Sequence, residues 1–332
     1  MSNASPLSHL APSSSPDGWG SWRQALTACS VIVTVLLAGA AACASEKSPK
    51  KTVAIRRTES QTLIAADARG RLRIGVREDV PYMFFIERGG RRTGFEIEIA
   101  KALAFELGFS EDKIDWVPVQ TLPQRQAVLQ QNIADMVVAN FSMTAEREQY
   151  VDFAGPYQLV PQQVLVRRDR TKSLETIADL RRPGIRVCTT TGSTSEKALV
   201  DKGIEPEPVN TNAQCIAGLK RGMYDAFSTD LPILAGLAKA DQAKTGEETF
   251  ELLDLAIADY NEKIGVGLPN GDTAMRDVVA YFLHKWRTGT QYSPWRSAYD
   301  KTIGPLLGSE FASQPHVDNP PDLADFDSKA PR

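Results

Sequence analysis

GFEIEIAKALAFEL runs from Gly94 to Leu107. Ile97, Ala100, Ala104 and Leu107 recur every three or four residues, so they share one face of an α-helix, and Gly108 stops it. Short apolar runs flank this helix. LRIGV (Leu72–Val76) precedes it and KIDWVPV (Lys113–Val119) follows, each reading as a strand. Further outward the alternation continues. LPQRQAVLQQN (Leu122–Asn132) is helical and ADMVVAN (Ala134–Asn140) is a buried strand. LVPQQVLVRRD, IRVCTT, YDAFSTD and IGVGLP add strands, helices start near Ser193 and Asn212, and DTAMRDVVAYFLHKW (Asp272–Trp286) is a long terminal helix. Such β/α alternation predicts an α/β fold of mostly parallel sheets with helices on both faces.

The 332 residues exceed one ordinary domain, so two lobes are expected. A net charge of −3 offers no broad basic field for nucleic acid. His9, His284 and His316 show no metal-ligand spacing, which argues against a histidine-built metal or catalytic centre, and no cofactor is implied.

The ends read differently from the middle. Arg23 precedes the apolar run VIVTVLLAGAAA (Val31–Ala42), which is shorter than the roughly 20 residues of a spanning helix and suits a secretory signal over 1–42. Ala40, Ala41 and Ala42 before Cys43 resemble a bacterial lipoprotein signal, although Ala40 stands where leucine is usual. That resemblance implies lipidation of Cys43; plain secretion with cleavage near Ala42 is the alternative. Residues 43–70 are polar and read as a flexible tether, and the proline-rich 311–332 as a disordered tail. Export leaves Cys188 and Cys215 as an even pair in an oxidising compartment, so a disulfide is expected, with two buried thiols as the alternative.

The Gly94–Leu107 stretch resembles the signature of bacterial extracellular solute-binding proteins of the polar amino acid type, which serve ABC importers. The resemblance continues in order through ADMVVANFSMTAEREQYVDFAGPY, VCTTTGSTSEKAL, YDAFSTDLPILAG and KIGVGLPNGD, covering roughly residues 71–307. With Cys188 and Cys215 it is most similar to the actinobacterial glutamate-binding lipoproteins, where this pair is bridged. It implies a two-lobed periplasmic-binding-protein type II fold. One lobe is 71–158 plus 266–310 and the other 162–262, with crossovers near Gln158–Pro161 and Asn261–Gly265. It also implies a protein anchored by lipid on the extracytoplasmic face that hands an amino acid to permease subunits and has no enzyme activity; a monomer is expected because each lobe can bury its own core. An amino acid sensor with a signalling partner and a dehydratase-like enzyme on the same fold remain alternatives.

A free amino acid carries a carboxylate and an ammonium that must be paired when taken from water. In SMTAEREQYVDFAGPY (Ser142–Tyr157), Thr144 is expected to cap a helix from Ala145, placing Arg147 in its first turn toward the cleft. The resemblance implies that Arg147 grips the ligand carboxylate while Ser142 and Thr144 contact its polar groups; Ala145 replaces the usual proline. Alone, Arg147 also reads as a solvated helix arginine. GSTSE (Gly192–Glu196) contains a capping box, Ser193-x-x-Glu196, whose N–H groups near Ser193 and Thr194 suit the same carboxylate; an ordinary cap is the alternative. Asp230, at a strand end before Leu231-Pro232, is implied to hold the ammonium; it also reads as a plain N-cap, and Leu231 stands where many relatives have a second aspartate. In GVREDVPYMFF (Gly75–Phe85), Arg77 resembles the arginine of acidic amino acid binders and points to glutamate or aspartate; a surface arginine beside Glu78 and Asp79 is the other reading. Tyr82, Phe84 and Phe85 are candidates for an aromatic wall, or for core packing.

Overall fold

The computed structural model describes residues 53–255, 257–258, 261–289, 293–321 and 323–326. The signal segment and Cys43 lie outside these residues.

Two five-stranded sheets organise the chain. The first orders its strands Ile114–Pro118, Leu72–Val76, Met136–Ser142, Glu262–Leu268 and Asp152–Val160. The second orders Pro206–Val209, Val187–Thr190, Ala226–Asp230, Gln162–Arg167 and Phe250–Leu253. The chain passes between them twice. It leaves the first sheet at Val160, turns at Pro161 and enters the second at Gln162. It leaves the second at Leu253 and re-enters the first at Glu262. Parallel pairing holds the half of each sheet built from strand–helix–strand units, Leu72–Val76 with its two neighbours and Val187–Thr190 with its two. The other half is antiparallel, because the returning strand Glu262–Leu268 lies beside the departing strand Asp152–Val160 and runs against it.

The helix read from Gly94 spans Phe95–Glu106. Ile97, Ala100, Ala104 and Leu107 are fully buried, as are Phe95, Ile99 and Leu103. Burying each large side chain contributes about 1.5–3 kcal/mol. Phe95 meets Trp295 edge-on with ring centroids 5.7 Å apart, which fastens this helix to the one at Pro294–Lys301. Gly94 has φ 120°, and a Cβ there would lie 2.4 Å from the Met83 carbonyl. Only glycine fits both the dihedral and the approach.

Two expectations at the ends are corrected. Part of the expected tether is structured: Val53–Ile55 is a strand, and Gln61–Arg69 is a helix capped by Ser60 with Leu63 and Ala66 fully buried. Asp272 also accepts hydrogen bonds from the Ser60 hydroxyl and the Thr62 amide, both at 2.8 Å. Part of the expected tail is ordered too. Leu323–Phe326 pairs in parallel with Val53–Ile55. Val317 is buried, the Asp318 amide donates to the Gly155 carbonyl at 2.7 Å, and Asp318 pairs with Lys263 at 2.7 Å. Proline content was a poor guide here, because these contacts satisfy backbone and side-chain groups without regular structure.

The second sheet carries the disulfide. Cys188, on Val187–Thr190, is joined to Cys215 on the helix Asn212–Lys220, and both are fully buried.

Candidate ligand-binding cleft

Strand Met136–Ser142 is buried along its whole length and delivers Ser142 to its end. Arg147 follows not in an α-helix but in a single 3-10 turn, Arg147–Gln149. The strand starting at Asp152 leaves no room for a longer helix. The Thr144 hydroxyl accepts from the Arg147 amide at 3.3 Å, but Glu146, not Thr144, occupies the cap position of the turn. The guanidinium donates to the Ser142 carbonyl at 2.9 Å, lies over the Phe141 ring, and reaches the Gly192 carbonyl of the second lobe at 3.4 Å. Burial lowers its pKa, while the negative charges of Glu262 and Asp230 hold the cation.

Opposite it, Gly192 takes φ 70° and Ser193 caps the helix Thr194–Asp201. The Ser193 hydroxyl accepts from the Glu196 amide at 3.0 Å. The Glu196 carboxylate accepts from the Gly192 amide at 2.6 Å, one residue before the cap, so the expected box is shifted by one. The Thr194 hydroxyl accepts from the Gln162 amide at 3.1 Å.

Asp230 ends its strand where helix Leu231–Thr245 begins, with Pro232 in the first turn. It occupies the cap position, yet its carboxylate makes no capping bond. One oxygen accepts from the Asn140 side-chain amide of the first lobe at 2.6 Å. The other is buried and has no hydrogen-bond partner among the described residues. Burial pushes its pKa up to about 7, further raised by Glu262 and partly offset by the Asn140 bond. A buried carboxylate oxygen left unpaired is costly and marks a place built for a donor.

Arg77 is buried, not a surface residue. Its fork binds both oxygens of Asp79, at 2.9 and 2.6 Å, and its guanidinium lies 4.7 Å from the Phe84 ring centre. With its side-chain amide turned over, Asn212 of the second lobe presents its oxygen to Arg77 at 2.8 Å. The acidic-ligand reading needs an uncompensated cation, and Asp79 already compensates this one. Phe84 is fully buried core and not a wall, while Phe85 and Tyr82 are half-buried. Tyr82 takes φ 70° and its carbonyl accepts from the Phe95 amide at 2.8 Å.

Several cleft residues escaped the sequence reading. Glu96 is fully buried; one oxygen accepts from the Tyr157 hydroxyl at 2.6 Å and the Asn140 amide at 2.8 Å, and burial pushes its pKa to about 7. Arg125 donates to the Asn140 carbonyl at 2.9 Å, and burial lowers its pKa to about 9. Glu262 and Gln162, the first strand residues past the two crossovers, meet at 3.4 Å. Asn140 is the junction of this network: it bonds Glu96 and Arg125 beneath it and Asp230 across the cleft. A cavity of about 650 Å³ lies elsewhere, beside Phe105, Trp286 and Pro294, and involves none of these residues. Among the described residues no helix is long and apolar enough to cross a membrane.

Comparison with known proteins agrees with this architecture. The glutamate-binding protein GluB of Corynebacterium efficiens is 30% identical over 232 residues, 67% of this chain and 76% of that protein. A glutamine-binding protein of Geobacillus stearothermophilus is 31% identical over 241 residues, 69% of this chain and 89% of that one. Among solved structures, the ancestral amino acid-binding protein AncCDT-1, a precursor of cyclohexadienyl dehydratase, superposes with a TM-score of 0.62 at 29% identity, covering 73% of this chain and 99% of that one. That solved structure is a type II periplasmic binding fold, the fold of this chain. The sequence profile of the bacterial extracellular solute-binding proteins, family 3, matches residues 72–299, and the chain belongs to that family.

Proposed function

We propose that this chain captures a polar α-amino acid between its lobes and hands it to an ABC permease, anchored outside the membrane by lipid on Cys43 and acting as a monomer without enzyme activity. The observation that carries the reading is the Asp230 carboxylate, buried with an unpaired oxygen and facing Arg147 across the cleft. An amino acid complements the pair: its ammonium suits Asp230 and its carboxylate suits Arg147, with Ser142, Thr144, Ser193 and Thr194 as further polar partners. Relatives that bind glutamate and glutamine support a ligand of that size.

Glutamate or aspartate requires Arg77 to turn from Asp79 to the ligand's side-chain carboxylate, with Tyr82 flanking the stem. A second reading, glutamine, is favoured by the Arg77–Asp79 pair, which is neutral as a unit. Calorimetry with glutamate, aspartate, glutamine and lysine on refolded protein tests both. Binding of any of the first three supports the clamp. If glutamine wins over glutamate in the natural protein, Asp79→Asn reverses the order by freeing Arg77. No binding by any of them sinks the proposal.

A further inference from the structure

Gly236 stands inside the helix Leu231–Thr245, where the backbone is one that any residue adopts and where alanine is the more stable choice. Packing, not conformation, accounts for the glycine. A Cβ at this position would lie 2.5 Å from the Pro81 carbonyl oxygen and 3.4 Å from Val80 Cγ1. Pro81 belongs to the first lobe and the helix to the second, so the backbone of one lobe rests on the helix of the other. Apolar burial surrounds the spot. Val80, Met83 and Phe84 of the first lobe and Leu231, Ile233 and Leu234 of the second belong to one continuous core. Both partners also adjoin cleft residues. Pro81 directly precedes Tyr82 in the segment that carries Arg77, and the helix begins immediately after Asp230.

We propose that Gly236 is a positioning residue for ligand capture: its missing side chain lets the Pro81 carbonyl seat on the helix, and that seat sets how closely the segment carrying Arg77 and Tyr82 approaches Asp230. This rests on the reading of the cleft as an amino acid site. The obstacle to any side chain is backbone, so it cannot swing aside as a flexible side chain would. A methyl group there forces the lobes apart or tilts the helix, and either change parts the ammonium acceptor from the other ligand groups. Affinity then follows the fraction of molecules that still reach the closed arrangement. Ligand enters between parted lobes, so the loss falls on the rate of release.

Calorimetry and stopped-flow kinetics on the natural chain, Gly236→Ala and Gly236→Val with glutamate and glutamine, joined to small-angle scattering at saturating ligand, test this. Gly236→Ala is expected to raise Kd about tenfold through faster dissociation, with association within about twofold and circular dichroism unchanged. Gly236→Val is expected to raise Kd further. At saturation both variants are expected to keep a larger radius of gyration than the natural chain. Equal Kd and equal radius in the natural chain and Gly236→Ala overturn the role of Gly236 and leave the clamp intact. A lower melting temperature with unaltered Kd does the same, because it assigns the glycine to packing alone. Silence from the natural chain overturns the clamp and this inference together.

Discussion

Asp230 makes ligand affinity depend on pH in a direction that follows from its surroundings. Its pKa is pushed from 3.8 to about 7 by burial. At pH 6 about nine-tenths of this group is protonated, and at pH 8 about one-tenth. A ligand ammonium beside it stabilises only the ionised form, so binding at pH 6 expels close to one proton. If the bound complex keeps Asp230 ionised throughout, Kd falls about tenfold between pH 6 and pH 8. Calorimetry at pH 6 in two buffers of different ionisation heat counts the proton directly. Glu96, also near 7, and the raised Glu262 titrate nearby. Asp230→Asn separates them, because any proton release that survives in that variant belongs to the other two. The same shift acts on stability with opposite sense. The folded-state value lies above the unfolded one, so Asp230 favours folding most below pH 4, and that contribution is lost as pH rises through 7. A Kd flat within twofold from pH 6 to pH 8, with heats independent of buffer, would refute an ammonium at Asp230.

Two further outcomes are expected. Arg147→Ala removes the cation facing two buried carboxylates and the ligand's own; truncating one partner of a buried charge pair costs about 3–5 kcal/mol, so Kd rises at least about a hundredfold by calorimetry while circular dichroism stays unchanged. Replacing Cys188 and Cys215 together by alanine opens a loop with a sequence separation of 27, worth about 3.5 kcal/mol in the chain-entropy model, and melting should fall by roughly 7–14 °C; an unaltered melting temperature refutes a stabilising bridge.

The sequence made the alternating core legible because its apolar faces repeat locally, as in Phe95–Glu106. Val53–Ile55 and Leu323–Phe326 stabilise each other across the length of the chain, so neither segment carries a local sign of its partner. Motifs singled out Arg147 and Asp230. Arg125 was not among them: in LPQRQAVLQQN it looks like a solvated helix residue, and only the carbonyl of Asn140 explains its burial. Asn140 takes φ 51°, a conformation asparagine tolerates, and its place at the end of an apolar strand was the available clue. Glu96 resembled a first-turn acid favoured by the helix dipole, a role that needs no burial. For Arg77 the sequence offers Glu78 and Asp79 as surface neighbours; what it does not show is the burial that turns the Asp79 contact into a closed ion pair.

The pairing of Val53–Ile55 with Leu323–Phe326 settles which half of the machine is the chassis. Both strands belong with the body that carries the first sheet, and the Asp318 contacts fasten the late chain to strands of that same sheet. The chain passes to the second sheet between Val160 and Gln162 and returns from it between Leu253 and Glu262. The first sheet therefore shares its body with both ends of the described chain, while the disulfide Cys188–Cys215 ties a strand of the second sheet to the helix Asn212–Lys220.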